Sequence, residues 1–217
     1  MSPKKEQTST SDKILRQILE FRPSKADQRR ALILEAVIEG IGEGLEGSTV
    51  ERISKRTKMR RSHVQYYFKN REEMLDAAIK YVISVSQEIN VEYLKDLKSP
   101  EAMLRAYVEA TFEWFVREPT HRSVMGLLMY FSTCFPRHRH IMQQIADSSE
   151  ERLQAILKLK KSKKGKGDKA AKALAKTIRT LVIGALIDLH STEGKDTQAA
   201  IQSVQDTVQA LAEEFWQ

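Results

Sequence analysis

The sequence predicts an all-α protein: an N-terminal three-helix helix-turn-helix domain followed by a C-terminal helical domain. Three observations carry this. Apolar residues recur at spacings of three and four along most of the 217 residues, the repeat that lines one face of a helix. Only five Pro and nine Gly occur, too few for a turn-rich β protein. From Arg52 to Arg71 stand eight basic residues (Arg52, Lys55, Arg56, Lys58, Arg60, Arg61, Lys69, Arg71) and no acidic one, across two short segments with apolar stripes.

Taken in order, residues 1–24 form an extension. Met1 to Thr10 carries no apolar residue after Met1, which predicts disorder. Ile14, Leu15, Ile18, Leu19 and Phe21 then fall at helical spacing before Pro23. Such a segment is either an arm that touches DNA or docks on the protein, or a frayed helix. Ser24 to Glu43 predicts the first helix of a DNA-binding domain spanning 25–72. Its stripe is Leu32, Ile33, Ala36, Val37, Ile38 and Ile41. Gly40, Gly42 and Gly44 weaken its end by about 1 kcal/mol each relative to Ala inside a helix, so it stops near Gly42.

Ser48 or Thr49 caps the next helix, whose inner face is Val50, Ile53 and Thr57. Met59 plugs the turn. Val64 and Phe68 hold down a second short helix whose other face sends Arg61, Ser62, His63, Gln65, Tyr66 and Tyr67 to solvent. Arg and Lys attract phosphates, and Gln, Ser and His hydrogen-bond base edges in the major groove. Two short helices joined by a tight turn, the second offered to the groove, make a helix-turn-helix. The bland alternative is a solvated basic face on a helical hairpin. Asn70 with Glu73 makes a capping-box-like start to a long helix from Arg71 past Ser86.

Residues 73–217 predict a helical regulatory and dimerisation domain. Leu75, Ile79, Val82, Ser86, Ile89 and Tyr93 line the long helix, the mechanical link between the domains. Ser99-Pro100 starts the next helix. It is polar only on the stripe Arg105, Glu109, Glu113 and Arg117, so it is central and mostly buried. Pro119 breaks it and Thr120 caps a helix to about Phe135. Pro136 ends that, and Arg137–Lys158 follows with Ile141, Ile145, Leu153, Ile156 and Leu157 inward. The basic run 158–169 is either a solvated linker or a nucleic-acid contact. Lys169–Leu189 and Thr197–Trp216 carry seams of alternating three and four, as in helix bundles.

The stretches G-L-E-G-S-T-V-E-R-I-S and R-S-H-V-Q-Y-Y-F-K-N-R-E-E-M-L, within about Arg29 to Tyr81, resemble the tetracycline-repressor (TetR-type) transcriptional regulators. Members of that family usually carry Thr-Val-x-x-Ile-Ala, a Gly-Val-Ser turn, Tyr-x-His-Phe and Lys-Glu-x-Leu. Here Lys58 and Arg60 replace the turn Gly and Ser, and Tyr67 replaces the His. Lys58 must bear a conformation Gly takes at least cost, and Arg60 cannot cap as Ser would.

The resemblance implies a sequence-specific regulator, a repressor released from a near-palindromic operator by a small molecule. The DNA contacts would be Thr49, Arg60, Arg61, Ser62, His63, Gln65, Tyr66, Tyr67, Lys69 and Arg71. It also implies a homodimer in which the last two helices of each subunit form a four-helix interface; Ile178, Leu181, Val182, Ala185, Val204, Val208 and Leu211 are its candidates. The alternative is that these helices only close their own domain. A pocket between the central helix and its neighbour would be lined by Met103, Tyr107, Trp114, His121, Met125, Met129 and Phe131, or these residues simply fill the core. A rival reading of the same fold is a chromosome-organising DNA-binding protein with no ligand.

A net charge of +7 suits double-stranded DNA, and also an anionic membrane. No apolar run reaches the roughly 20 residues of a membrane span, and no secretion signal opens the chain. One cysteine, Cys134, leaves no internal disulfide framework and fits a reducing cytoplasm. No Cys-x-x-Cys, His-Glu-x-x-His, Gly-x-Ser-x-Gly or Walker-type loop occurs. His138 and His140 stand two apart and point away from each other on a helix. The sequence therefore predicts no catalytic site, no metal and no cofactor.

Overall fold

Helix boundaries fall where capping groups and prolines allow them. The computed structural model describes residues 25–162, 165, 167–192, 194 and 196–217. The N-terminal extension lies outside the described residues. The described residues form α1 (Lys25–Gly42), a 3-10 turn η1 (Leu45–Ser48), α2 (Val50–Thr57), α3 (Arg61–Tyr67), α4 (Arg71–Leu94), α5 (Pro100–Arg117), α6 (Pro119–Cys134), α7 (Pro136–Lys158), α8 (Asp168–Ser191) and α9 (Thr197–Trp216). No strand occurs among them.

Thr49, rather than Ser48, caps α2: its Oγ1 accepts from Arg52 N at 3.3 Å. Asn70 Oδ1 accepts from Glu73 N at 2.9 Å, and the Glu73 carboxylate accepts in return from Lys69 N at 2.7 Å. The box closes one residue ahead of the cap, so two orphan donors are satisfied reciprocally. Ser99 caps α5 with Pro100 in its first turn. One expectation needs correcting: α6 begins at Pro119 with Glu118 before it and no side-chain cap, so Thr120 lies inside the helix.

Two apolar clusters fill the interior. The first joins α1–α4 to Ala110 and Trp114 of α5 and to Val124, Leu127 and Leu128 of α6. The second is built from α5, α7, α8 and α9. The division of the chain at residue 72 is thus not a division of its core. α5 touches α4, α6, α7, α8 and α9, the central position its narrow polar stripe predicts, although Val116 is 41% exposed. Leu32, expected in the α1 stripe, is also exposed; the stripe runs through Ile33, Ala36, Val37, Gly40 and Ile41 instead.

Gly40 does more than weaken a helix end. A Cβ on it would lie 2.5 Å from Gly47 O, and one on Gly47 would lie 1.9 Å from Gly40 O. The pair lets η1 lie backbone to backbone on α1, which sets where α2 starts.

Candidate nucleic-acid interface

The turn between α2 and α3 is built around Lys58, which sits at φ 54°, ψ 28°. Left-handed backbone costs a side-chain-bearing residue roughly 1–2 kcal/mol, and local hydrogen bonds offset it. Met59 N donates to Ser54 O at 3.1 Å, and Ser54 Oγ donates to Met59 O at 2.5 Å. Met59 is half-buried against the first core cluster, as a plug should be. Arg60 takes the cap position of α3 and makes no capping hydrogen bond. Its carbonyl still accepts from His63 N at 2.8 Å and Val64 N at 3.2 Å.

α3 is pinned by Val64 and Phe68, both fully buried, and Arg30 covers the Phe68 ring at 5.1 Å. Arg61, Ser62, His63 and Gln65 are exposed, and Tyr66 is 80% exposed. Tyr67 departs from the predicted outer face. It is half-buried against the core and edge-on to Tyr66 at 5.1 Å, because residue 67 follows Val64 by three and shares part of its inner side.

The basic run divides by function. Arg56 bonds Glu39 at 3.2 Å and Glu43 at 2.5 Å, tying α2 to α1, and it holds the Glu43 carboxyl below the usual range. Arg52 pairs with Glu46, and Lys55 with Glu51. Arg71, expected on a phosphate, turns inward: its guanidinium donates to Ser48 Oγ at 3.1 Å and to the Leu45 carbonyl. Arg71 therefore braces η1, adding a charged donor to the Leu45 carbonyl and Ser48 hydroxyl, which already bond each other at 2.9 Å. Lys58, Arg60, Arg61 and Lys69 form no ion pair among the described residues. Net positive charge is thereby concentrated around α3, at the turn before it and the residues after it.

No family model matches the chain. The HTH-type transcriptional repressor NicS of Pseudomonas putida is 27% identical over 106 residues, covering 48% of this chain and 50% of NicS. The HTH-type transcriptional regulator BetI of Yersinia pestis (strain Pestoides F) is 28% identical over 88 residues, covering 39% of this chain and 44% of BetI. The chain thus spans about half the length of the curated relatives it matches. Among solved structures, a TetR-like transcriptional regulator from Rhodococcus sp. RHA1 superposes with a TM-score of 0.68 at 16% identity, covering 89% of this chain and 97% of its own. The fold is that of the TetR-type transcriptional regulators. A further protein of that fold, a transcriptional regulator from Saccharomonospora viridis in complex with choline, has a TM-score of 0.73 at 18% identity, covering 84% of this chain and 96% of its own.

In this TetR-type fold the other predicted residues fall as follows. The seven pocket candidates do not share one wall. Met103 and Tyr107 pack in the second cluster; Trp114, Met125 and Phe131 in the first; Met129 is 39% exposed. Met103 and Trp114 are eleven residues apart on α5, about 16 Å along its axis, too far for one small ligand's wall. A surface cleft of about 510 Å³ is lined by Ser84, Gln87, Glu88, Val91, Glu92 and Lys95, all on the outer side of α4, and none was a candidate.

The interface candidates also divide. Ile178, Val182, Val204 and Val208 are buried within the chain itself, while Leu181, Ala185 and Leu211 are half-buried. A three-four seam marks burial without saying whose chain covers it. The open apolar residues of α8 are Ile183 and Ile187, 40% and 42% exposed, one turn apart on a face with Thr180 and Gly184. They read as helix surface in the sequence because the seam beside them is stronger.

Two lysines of the basic linker are engaged. Lys158 pairs with Asp168 at 2.8 Å, and Lys160 with Glu101 at 2.6 Å; Lys160 also lies over Trp216 at 4.5 Å. Among the described residues no three His, Cys, Asp or Glu side chains could hold a metal ion together, and no helix is long and apolar enough to cross a membrane.

Proposed function

We propose that this chain is a sequence-specific transcriptional regulator that binds duplex DNA as a homodimer, represses, and leaves its operator when a small molecule binds the helical domain. The observation that carries the reading is α3: a seven-residue helix held by Val64 and Phe68, whose open face is Arg, Ser, His, Gln and Tyr with no acid. Arg61, His63, Gln65 and Tyr66 would meet base edges and nearby phosphates. Thr49, Lys58, Arg60, Lys69 and the Tyr67 hydroxyl would hold the backbone. Base contacts discriminate by about 1–3 kcal/mol each, and the cations add salt-dependent affinity.

A two-fold pair of such subunits calls for half-sites about one helical turn apart. The open stripe of Ile183 and Ile187 supports pairing through α8. Release would run through two contacts. Thr120 of α6 abuts Gly42 of α1, and Asp76 of α4 pairs with Arg137 and lies 3.5 Å from His138 Nε2 at the start of α7. Movement of α6 and α7 would thus shift both α1 and α4 and change the separation of the two α3 helices. A ligand preferring the non-binding state a hundredfold supplies about 2.7 kcal/mol.

Fluorescence anisotropy with the upstream region of neighbouring genes tests the reading. Tight, salt-sensitive binding that survives excess unrelated duplex supports it. Equal affinity for every duplex contradicts it.

A further inference from the structure

We infer that the effector of this chain is an organic anion with a small apolar or aromatic body, taken at the corner where α5 meets α6. The inference rests on the proposed effector control and gives its ligand class. Trp114 and His121 are 6% and 8% exposed, yet Trp114 Nε1 and His121 Nδ1 have no hydrogen-bond partner. Arg122 Nε, beside them in the chain, is buried and unpartnered too. Buried polar atoms are nearly always paired, and two of these unpartnered donors, Trp114 and Arg122, lie against the same Phe115 ring.

Two of the three can only donate: an indole N–H and a guanidinium N–H have no acceptor capacity. Their complement is an acceptor. Arg122 forms no ion pair among the described residues, and a guanidinium fork matches a carboxylate. Glu118, the nearby acid, bears on His121 but likewise forms no ion pair among them. The surroundings are aromatic: Phe115 lies under the Arg122 guanidinium at 5.8 Å, Trp114 is 6.0 Å from Phe115, and Tyr81 stands edge-on to His121 at 6.1 Å. These walls suit an apolar body, and the quaternary ammonium group of choline would meet the like charge of Arg122 and carries no acceptor of its own.

The rings rest on one another, so entry requires the first turn of α6 to part from α5. That turn has no side-chain cap, and its Thr120 abuts α1. Occupancy therefore favours an arrangement in which α1 has lost part of its support, which links the anion to DNA release.

Calorimetric titration and melting midpoints of the full chain with benzoate, phenylacetate and hexanoate, against benzamide and choline, test this at matched ionic strength. At least one carboxylate is expected to bind about tenfold or more tighter than benzamide and to raise the midpoint, with no response to choline. Arg122→Gln should lose about tenfold or more of that affinity, and Arg122→Lys, which keeps the charge but not the fork, should lose less than Arg122→Gln. Choline or benzamide binding as tightly as the carboxylates, unchanged carboxylate binding by Arg122→Gln, or no binding by any probe overturns the anion. Anisotropy on the same preparation keeps the two ideas apart: a chain that grips its duplex but takes no carboxylate loses the anion and keeps the regulator.

Discussion

Arg71 shows how a residue's role is set by what waits near it. Among eight cations in twenty residues it looks like a phosphate contact, but Leu45 O and Ser48 Oγ claim its guanidinium. Arg71→Ala should then lower stability by roughly 1–3 kcal/mol, because the carbonyl and hydroxyl lose a charged donor. The salt slope of DNA binding should stay as it is, whereas Lys69→Ala should flatten it by about one unit. Urea melts and anisotropy across a salt series check both; an Arg71→Ala chain of full stability and flatter slope would return Arg71 to the phosphate.

His121 and His138 give a second test at this scale. Burial pushes both imidazoles below their ordinary value; Arg137 adds to this at His138, while Glu118 and Glu72 oppose it. As pH falls below about 6.5 the unfolded chain takes up these protons first. Stability is thus full above that value and is lost as pH falls through the folded values. Glu101, drawn down to about 2 by Lys160 and Ser99, acts only below the ordinary carboxylate value. Urea midpoints should drop between about pH 7.5 and pH 5.5, and less so in His121→Gln. A flat profile for the unaltered chain contradicts the burial of these rings.

At the scale of elements, what was legible in the sequence was whatever rests on local chemistry. Thr49, Asn70, Ser99 and the prolines mark helix starts whatever packs around them, and the Val64–Phe68 pair tells which side of α3 faces out. What was not legible depended on contact between distant segments. The Gly40–Gly47 contact needs two glycines seven residues apart to meet backbone to backbone. The pocket candidates were chosen by type, large and adaptable, and type does not reveal that α5 delivers Met103 and Trp114 to different cores. The buried donors Trp114 and Arg122 left one trace: an arginine in the first turn of α6, where no other Lys, Arg, Asp or Glu stands.

For the whole molecule, the open question is what covers α8. The seam residues close the subunit, so charging them attacks folding and not assembly. Val208→Glu should unfold the chain, as a buried unpaired carboxylate does. Ile183→Glu with Ile187→Glu should leave a folded monomer, since both side chains are already partly open. Circular dichroism with light scattering separates the two; a folded dimer from the double Ile variant would put the interface elsewhere.

The central claim is that the open face of α3 reads duplex sequence. Selection of binding sites from a random duplex pool, run in parallel with the unaltered chain and with Gln65→Ala, tests it most directly. The account predicts that the unaltered chain enriches a near-palindromic site with half-sites about one helical turn apart. It predicts that Gln65→Ala binds the same site while losing preference at one position in each half, at a cost of about 1–3 kcal/mol. Enrichment of no shared site by the unaltered chain, or an identical site with undiminished preference from Gln65→Ala, His63→Ala and Tyr66→Ala alike, would contradict it.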